Sequence, residues 1–359
     1  SATHYSYDPH GNVAELVQEF NQTEMTAFNR RFVTLEYDYD LLSGNVNEVV
    51  YQRDLPDEYR HRYFYDADNR IEHVMTSRHG LTWDKVASYN YYPHGPLSRT
   101  ELGHRQIQGQ DYAYTLQGWL KALNGGSLAH QSPLGTYDLG SDGLQNGNPN
   151  VNFAPDALAF TLQYFNNDYS PISSHPFLPT FSESGANPVV NTYRPLYNGN
   201  IGRMTVALQN QHEVPQPVAL NNYHYDQLNR ITRFQSFNDP GIDQNNHSPA
   251  ATSYGYRSQY QYDPNGNITH LSRHNKQGVT FDSLQYKYDQ HSTDPTQPRR
   301  NRLLHLHDDI PAGTATTDID DHSGTVNYTN YAANNYQYDA IGNLIRDDAE
   351  NISSIEWNA

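Results

Sequence analysis

Pairs of tyrosines separated by one residue recur along the chain, and each pair is followed by a short polar segment and then by an apolar residue. One such unit begins with Tyr5, Tyr7 and Asp8 and continues through Gly11 to Val13. Residues two positions apart lie on the same face of a β-strand. Asp accepts backbone N–H bonds in a tight turn, and Gly tolerates the positive φ that such turns require. Each unit therefore predicts a strand, a tight turn and a returning strand.

Nine copies of this unit begin at residues 5, 37, 63, 89, 112, 223, 260, 286 and 336. The starts at 37, 63 and 89 are 26 residues apart, as are those at 260 and 286. The copy at 37 has one additional turn residue, and the copy at 286 has a longer turn, after which the pattern resumes at 301–303. We predict a structural role for the repeat signature, which consists of Tyr5, Tyr7, Asp8, Gly11, Tyr37, Tyr39, Asp40, Tyr63, Tyr65, Asp66, Asn69, Tyr89, Tyr91, Gly95, Tyr112, Tyr114, Gly118, Tyr223, Tyr225, Asp226, Asn229, Tyr260, Tyr262, Asp263, Gly266, Tyr286, Tyr288, Asp289, Tyr336, Tyr338, Asp339 and Gly342.

The copies are expected to depend on one another, because a single hairpin is only marginally stable in water. Stacked in sequence, they predict a continuous antiparallel sheet in which the tyrosine rings of neighbouring copies lie side by side. Aromatic neighbours of this kind contribute about 0.5–1.5 kcal/mol per pair beyond the burial of their surface. The predicted fold is all-β.

The repeats divide the chain into three parts that we treat as one repeat architecture. Residues 1–120 and 223–359 contain the copies, and residues 121–222 form an insertion that we predict to be rich in loops, with some strands. Long loops in a compact fold are often functional, but on a repeat scaffold they also cover an edge or plug an opening. The sequence leaves both interpretations open.

Composition narrows the classes of function. The chain has 359 residues and a net charge of −17, which opposes binding to a nucleic-acid backbone. Crossing a membrane as a helix needs about 20 consecutive apolar residues, and the sequence has no such run. With no cysteine, disulfides and thiol nucleophiles are excluded. The 13% aromatic content indicates a folded protein. Because residue 1 lies within the pattern, we expect this chain to be a piece of a longer protein.

Two clusters of acidic or histidine residues suggest metal sites. Asp318, Asp320 and Asp321 suggest a calcium loop, but the following residues depart from the required spacing. His305 and His307 would share one face of a strand, yet a metal site needs three or four convergent ligands. The sequence also lacks a nucleophile elbow, a phosphate-binding loop and a zinc-protease helix. We therefore predict no catalytic residue, no cofactor and no metal, and we expect the chain not to be an enzyme.

The units resemble the Tyr-Asp (YD) repeats of the RHS protein family. This family includes bacterial polymorphic toxins, the shell-forming component of insecticidal toxin complexes and the animal teneurins. Residues 112–124, 162–169 and 196–201 resemble the segment that precedes the last repeats in long secreted RHS proteins, notably those of Bacteroidota. The resemblance implies that the hairpins wind into a β-strand spiral that closes as a hollow shell, which in toxin members encloses the C-terminal toxic part.

RHS shells usually end in an Asp-Pro-x-Gly self-cleavage element that is followed by Leu. In this chain Asp263-Pro264-Asn265-Gly266 matches those letters, but it lies inside a repeat and is followed by Asn267. We therefore predict that these residues form a hairpin turn and do not cleave the chain.

The resemblance implies a structural shell module of a large secreted protein, enclosing or carrying a C-terminal toxin or cargo polypeptide. Its expected partners are the rest of the same polypeptide, the enclosed cargo and secretion or delivery machinery, without nucleic acid and without membrane insertion by this segment. The expected location is outside a bacterial cell or on its surface. The main alternative is a teneurin-like adhesion or carbohydrate-binding module, and a weaker one is a hydrolase within residues 121–222.

Overall fold

The computed structural model describes most of the chain. The described residues are 2–22, 25, 28, 30–105, 107–125, 139, 140, 142, 144, 145, 148, 149, 152–170, 194–209, 218–238, 255–289, 301–311 and 325–357. They fall into two compact units. The first unit comprises Ser1–Phe160, Tyr169–Leu178 and Leu208–Pro215, and the second comprises Thr161–Asp168, Pro179–Ala207 and Gln216–Ala359.

The first unit contains ten strands that pair antiparallel in chain order, each with the next. They are β1 (Ala2–Tyr7), β2 (Val13–Glu19), β3 (Phe32–Tyr39), β4 (Val46–Tyr51), β5 (Tyr59–Tyr65), β6 (Ile71–Ser77), β7 (Asp84–Tyr91), β8 (Leu97–Leu102), β9 (Gln108–Tyr114) and β10 (Leu120–Leu123). Two short strands, β11 (Leu144–Gln145) and β12 (Asn148–Pro149), form a separate pair. Strand β13 (Leu158–Gln163) spans the boundary between the units.

The second unit repeats this arrangement. Its seven-strand ladder is again antiparallel and in chain order. The strands are β14 (Arg203–Leu208), β15 (Ala219–Tyr225), β16 (Ile231–Asn238), β17 (Arg257–Tyr262), β18 (Ile268–His274), β19 (Thr280–Tyr288) and β20 (Leu303–Asp308). A 3₁₀ turn at Tyr331–Ala333 precedes a final hairpin of β21 (Tyr336–Tyr338) and β22 (Leu344–Asp347). The all-β prediction is confirmed.

Seven of the nine tyrosine-led copies form a hairpin with the same turn. In the first copy, the backbone N–H of Asp8 donates to the carbonyl of Asn12 at 2.9 Å, and Gly11 has a φ of 90°. The register shifts just before Tyr7, which lies opposite Val13. This combination is a three-residue loop with a left-handed residue and a β-bulge, which is a common way to close a hairpin. The positive φ explains why this position is Gly or Asn in the repeats.

Burial differs between the strands. All side chains of β1 are exposed, most of those in β2–β8 are half-buried on both faces, and the buried apolar residues of these strands are Val33, Val50 and Ala87. A sheet with one face on a core would instead alternate between buried and exposed residues. Such alternation does occur in β9, β14 and β15. The first eight strands therefore form a sheet with solvent access on both faces, and they depend on neighbouring strands more than on a core.

Candidate functional site

In five copies the turn aspartate organises the hairpin end through both of its carboxylate oxygens. In the copy at 63, Asp66 Oδ1 accepts the backbone N–H groups of Asp68 and Arg70, both at 2.9 Å. Its Oδ2 accepts from Nε of Arg70 at 2.8 Å. The copy at 223 repeats these contacts with Asp226 and Arg230. The copies at 5, 260 and 336 place an Asn in the position of the Arg.

These contacts stabilise the charged form of the aspartates. The backbone N–H of Arg70 is the main reason that the pKa of Asp66 is lowered, and the N–H of Arg230 does the same for Asp226. In the copy at 5, the main cause of the lowered pKa of Asp8 is the side-chain amide of Asn12. The aspartates therefore act as ionised turn caps, which leaves them little capacity for acid–base chemistry.

The second tyrosine of a repeat fastens its hairpin to the preceding one. The hydroxyl of Tyr65 donates to the backbone carbonyl of Val46 at 2.7 Å, and Val46 is the first residue of the preceding return strand. We call this contact the tyrosine clamp. The clamps are Tyr39 to Val13, Tyr65 to Val46, Tyr91 to Ile71, Tyr225 to Ile201, Tyr262 to Ile231 and Tyr338 to Leu303, at 2.7–3.0 Å. The same backbone position is thus used as an acceptor in both units.

An arginine completes three of these junctions. The guanidinium of Arg70 lies over the ring of Tyr91 at 4.5 Å from the centroid while it pairs with Asp66. Arg230 and Tyr262 repeat the contact at 4.6 Å. Arg302 repeats it over Tyr338 at 5.6 Å. The arginine therefore links the turn of one hairpin to the clamp tyrosine of the next.

These arginines were not predicted from the sequence, although a signal was present. Each one directly follows an Asn, in the pairs 69–70, 229–230 and 301–302. The side chain of that Asn also reaches a neighbouring turn. Asn229 Oδ1 accepts from Nδ2 of Asn198 at 2.7 Å and of Asn200 at 3.0 Å. The residues at 198–201 thus supply the turn and the carbonyl acceptor for the copy at 223.

The first tyrosines of neighbouring copies influence one another. The pKa of Tyr63 is raised mainly by burial, and in addition by the phenol groups of Tyr37 and Tyr89. Close ring contacts occur within a strand, as between Tyr37 and Tyr39 with centroids 6.4 Å apart. The contacts that hold neighbouring copies together in the structure are therefore the hydroxyl and guanidinium contacts, and the ladder of tyrosine rings stays a prediction.

Two copies depart from the motif at the Asp position and still close their hairpins, and a third keeps the Asp but has a longer turn. Thr115 accepts the N–H of Trp119 through its hydroxyl at 3.1 Å, and Tyr92 N–H donates to the carbonyl of Pro96 at 2.8 Å. In the copy at 286, Asp289 N–H donates to the carbonyl of Arg302 at 2.9 Å across the longer turn. The pattern resumes there at β20, and residues 290–300 lie outside the described part of the chain.

The turn predicted at the Asp-Pro-x-Gly sequence is present. Asp263 N–H donates to the carbonyl of Asn267 at 3.0 Å, and Gly266 has a φ of 92°. Asn267 donates to Asp263 from both its backbone and its side chain. This carboxylate is therefore engaged in the same cap as those of the other copies.

A buried charged cluster in the first unit was not predicted. Arg99 on β8 pairs with Asp111 on β9 and with both carboxylate oxygens of Asp142 at 2.8 and 3.2 Å. It also stacks over Phe153 at 4.4 Å and pairs with Glu101. Burial raises the pKa of Asp111 to about 7, although Arg99 opposes the shift. The cluster fastens the start of the insertion to the sheet.

The two histidines considered as candidate metal ligands differ in solvent exposure. His305 is 3% exposed, whereas the side chain of His307 is 42% exposed and lies 3.3 Å from Asp309. Asp318, Asp320 and Asp321 lie outside the described residues. Across the described ranges, no group of three or more His, Asp or Glu residues is arranged to hold a metal ion.

The described residues also contain no helix with the length and hydrophobicity needed for a bilayer crossing.

The sequence matches no protein-family model and no curated protein. Similar chains occur among known structures. The crystal structure of TcdB2-TccC3-TEV is similar over 96% of this chain and 15% of that chain, with 10% identity and a TM-score of 0.35. The crystal structure of TcdB2-TccC3 without its hypervariable C-terminal region is similar over 85% and 19%, with 12% identity and a TM-score of 0.34. This chain therefore spans less than a fifth of these two structures.

Proposed function

We propose that this chain is a wall segment of a larger secreted protein, which encloses or carries a C-terminal toxin or another cargo polypeptide. The observation that carries the proposal is the tyrosine clamp, because the same contact recurs in six of the nine copies and joins the hairpin to the residues that precede it. A chain built from such junctions extends by adding hairpins, as repeat proteins do. The role is structural, and the expected partners are the rest of the polypeptide and its cargo.

The burial of the first eight strands supports this role. Both of their faces have solvent access, with few fully buried apolar side chains. Such a sheet buries too few apolar side chains to form a closed core. It suits a barrier that has one surface outside and another facing a lumen. The clamps replace part of the stabilisation that a core would provide, since each buries a phenol edge and satisfies a backbone carbonyl.

Containment is the proposed mechanism. A wall excludes proteases and binding partners from the enclosed polypeptide until it is released. The net charge of −17 would favour a basic cargo wherever the acidic side chains face the lumen. No covalent chemistry is required of this segment, in keeping with aspartates that are occupied as turn caps.

The test uses a full-length polypeptide that contains this chain and a C-terminal segment. Limited proteolysis should leave the C-terminal segment intact while exposed loops are cut. A variant that removes three clamps, Tyr65→Phe, Tyr91→Phe and Tyr262→Phe, should expose the segment to digestion, whereas Tyr63→Phe should not. Digestion of the segment at the rate of the isolated segment, with the wall intact, would reject containment.

A glycan array probed with the purified chain distinguishes the adhesion alternative from containment. Saturable binding to a defined glycan would favour a carbohydrate-binding module. Limited proteolysis of the full-length protein tests containment independently of this result. The absence of binding to every glycan counts against adhesion through carbohydrate.

A further inference from the structure

A small cavity lies at the end of the β17–β18 hairpin that is opposite the tyrosine turn. It has a volume of about 240 Å³ and is lined by Gly255, Arg257, His274, Gln277 and Gly278. Ligand pockets for drug-sized molecules are usually larger, at roughly 300–1,000 Å³. The cavity is therefore of a size for one small chemical group.

The polar side chains of this cavity are paired in a way that fixes the histidine tautomer. Arg257 and His274 lie opposite each other in the strand register, with Nη2 of Arg257 at 2.6 Å from Nε2 of His274. A guanidinium only donates hydrogen bonds, so Nε2 of His274 must accept. Thr280 Oγ1 lies 3.0 Å from the same nitrogen. The neutral ring therefore carries its proton on Nδ1. Burial and the charge of Arg257 lower the pKa of His274, while a contact with the backbone of Arg257 opposes the shift.

Two N–H donors remain unsatisfied in this arrangement. Nδ1 of His274 and Nε of Arg257 are both buried and have no hydrogen-bond partner among the residues that the structure describes. His274 is only 9% exposed. Arg257 also has no carboxylate partner among the described residues. Buried donors without acceptors are costly, and a cationic group in this state favours an anion.

The backbone keeps one wall of the cavity close to the sheet. Gly255 is buried, and a Cβ atom at this position would lie 2.7 Å from the backbone carbonyl oxygen of Ser236. On the other side, the turn at 275–279 closes through Asn275 N–H to the carbonyl of Val279 at 2.9 Å, with Gly278 at a φ of 79°. The cavity walls are therefore ordered backbone, and the donors do not depend on a long side-chain rearrangement.

We propose that Arg257 and His274 form a binding site for a small oxyanion, either a carboxylate or a phosphate group. The guanidinium supplies the charge and the Nε–H donor, and His274 supplies the Nδ1–H donor. The anion satisfies both buried N–H groups and neutralises a cation that lacks a carboxylate partner within the described ranges. This site is independent of the containment role, because neither residue contributes to a tyrosine clamp.

The experiment titrates the ¹⁵N-histidine-labelled chain with inorganic phosphate and, separately, with acetate, in a chloride buffer. His274→Gln assigns the His274 ring signals. We expect a saturable shift of the Nδ1 signal of His274 with at least one anion. Binding of phosphate alone assigns the site to phosphate groups, and binding of acetate alone assigns it to carboxylates. The absence of a saturable shift with either anion in the wild-type chain overturns the proposal.

Variants test whether the binding is specific to this pair. Arg257→Gln should weaken anion binding by about tenfold or more, because it removes the charge-assisted donor. Lys276→Gln is the matched control, since this exposed residue lies on the same hairpin turn and does not line the cavity. It should change affinity by less than about twofold, as expected for a screened surface charge. Equal affinity in wild-type protein and a folded Arg257→Gln variant overturns the proposal. If that variant does not fold, Arg257→Lys replaces it, and the wild-type titration remains decisive.

Discussion

The tyrosine clamp makes a sharp prediction, because Phe removes only the hydroxyl. In the double variant Tyr65→Phe and Tyr91→Phe, two hydrogen bonds of 2.7 and 2.8 Å to backbone carbonyls are lost. The rings, the strand register and the stacking of Arg70 remain possible. The experiment therefore isolates the contribution of the hydroxyl to the junction between hairpins.

The expected loss follows from the hydrogen bonds. A typical intramolecular hydrogen bond contributes a net of about 0.5–1.5 kcal/mol, so two clamps together should contribute about 1–3 kcal/mol if they act independently. Half-buried carbonyls can regain water after the substitution, which places the estimate towards the lower end. The free energy of unfolding from urea titration, followed by circular dichroism and tyrosine fluorescence, measures this loss.

The matched control is the double variant Tyr63→Phe and Tyr89→Phe. These are the first tyrosines of the same two copies, and their hydroxyls make no hydrogen bond to a described residue. We expect the control to change the unfolding free energy by less than about 0.5 kcal/mol, as for substitutions away from specific contacts. A control that is as destabilised as the clamp variant would refute the argument that the second tyrosine fastens the hairpins.

Three further predictions concern other parts of the fold. Gly266→Ala should destabilise the chain by about 1–2 kcal/mol in urea titration, because a Cβ there meets no atom within 4 Å and only the left-handed backbone is penalised, whereas Gly266→Asn should cost less. Stability should fall as the pH is lowered below about 4. The pKa values of Asp66 and Asp226 lie below that of an unfolded Asp, so the unfolded chain takes up protons first. In the variant with both residues changed to Asn, the urea midpoint should fall less steeply with decreasing pH. Asp142→Ala should lower the local free energy of opening at the start of the insertion by about 1–3 kcal/mol, because Arg99 loses a fully buried partner. Faster hydrogen exchange of the backbone amides of the insertion would measure this loss.

The strands and turns were predictable from sequence because they depend on neighbouring residues. The alternation of Tyr5 and Tyr7 places both rings on one face of a strand, and the Gly or Asn six residues after the first Tyr matches a positive φ in the structure. These are local requirements that hold in the seven copies with this spacing. The additional turn residue before Gly44 was visible for the same reason, since the hairpin closes from Asp40 to Asn45.

The contacts between distant residues were not predictable in the same way. Arg99 and Asp142 are 43 residues apart, and the segment between them includes part of the insertion, whose path the repeat pattern does not determine. Arg257 and His274 meet only because the bulge before Tyr262 sets their register. A one-residue shift in register would move one partner to the opposite face. The Asn-Arg pairs were an intermediate case, since the signal was in the sequence but its partner Tyr lay in the next copy.

The tyrosine content follows from the junctions between hairpins. The chain has 30 Tyr and 12 Phe, although Phe would serve equally well wherever a ring only buries apolar surface. In a sheet with solvent on both faces, a phenol keeps its hydroxyl in water or donates it to a carbonyl, while its ring covers the neighbouring strand. The clamp uses this property at the backbone carbonyl that precedes or begins the return strand. Tyrosine is therefore favoured at the second position of the repeat for its hydroxyl, and a sheet with few fully buried residues gains its order from repeated contacts between hairpins.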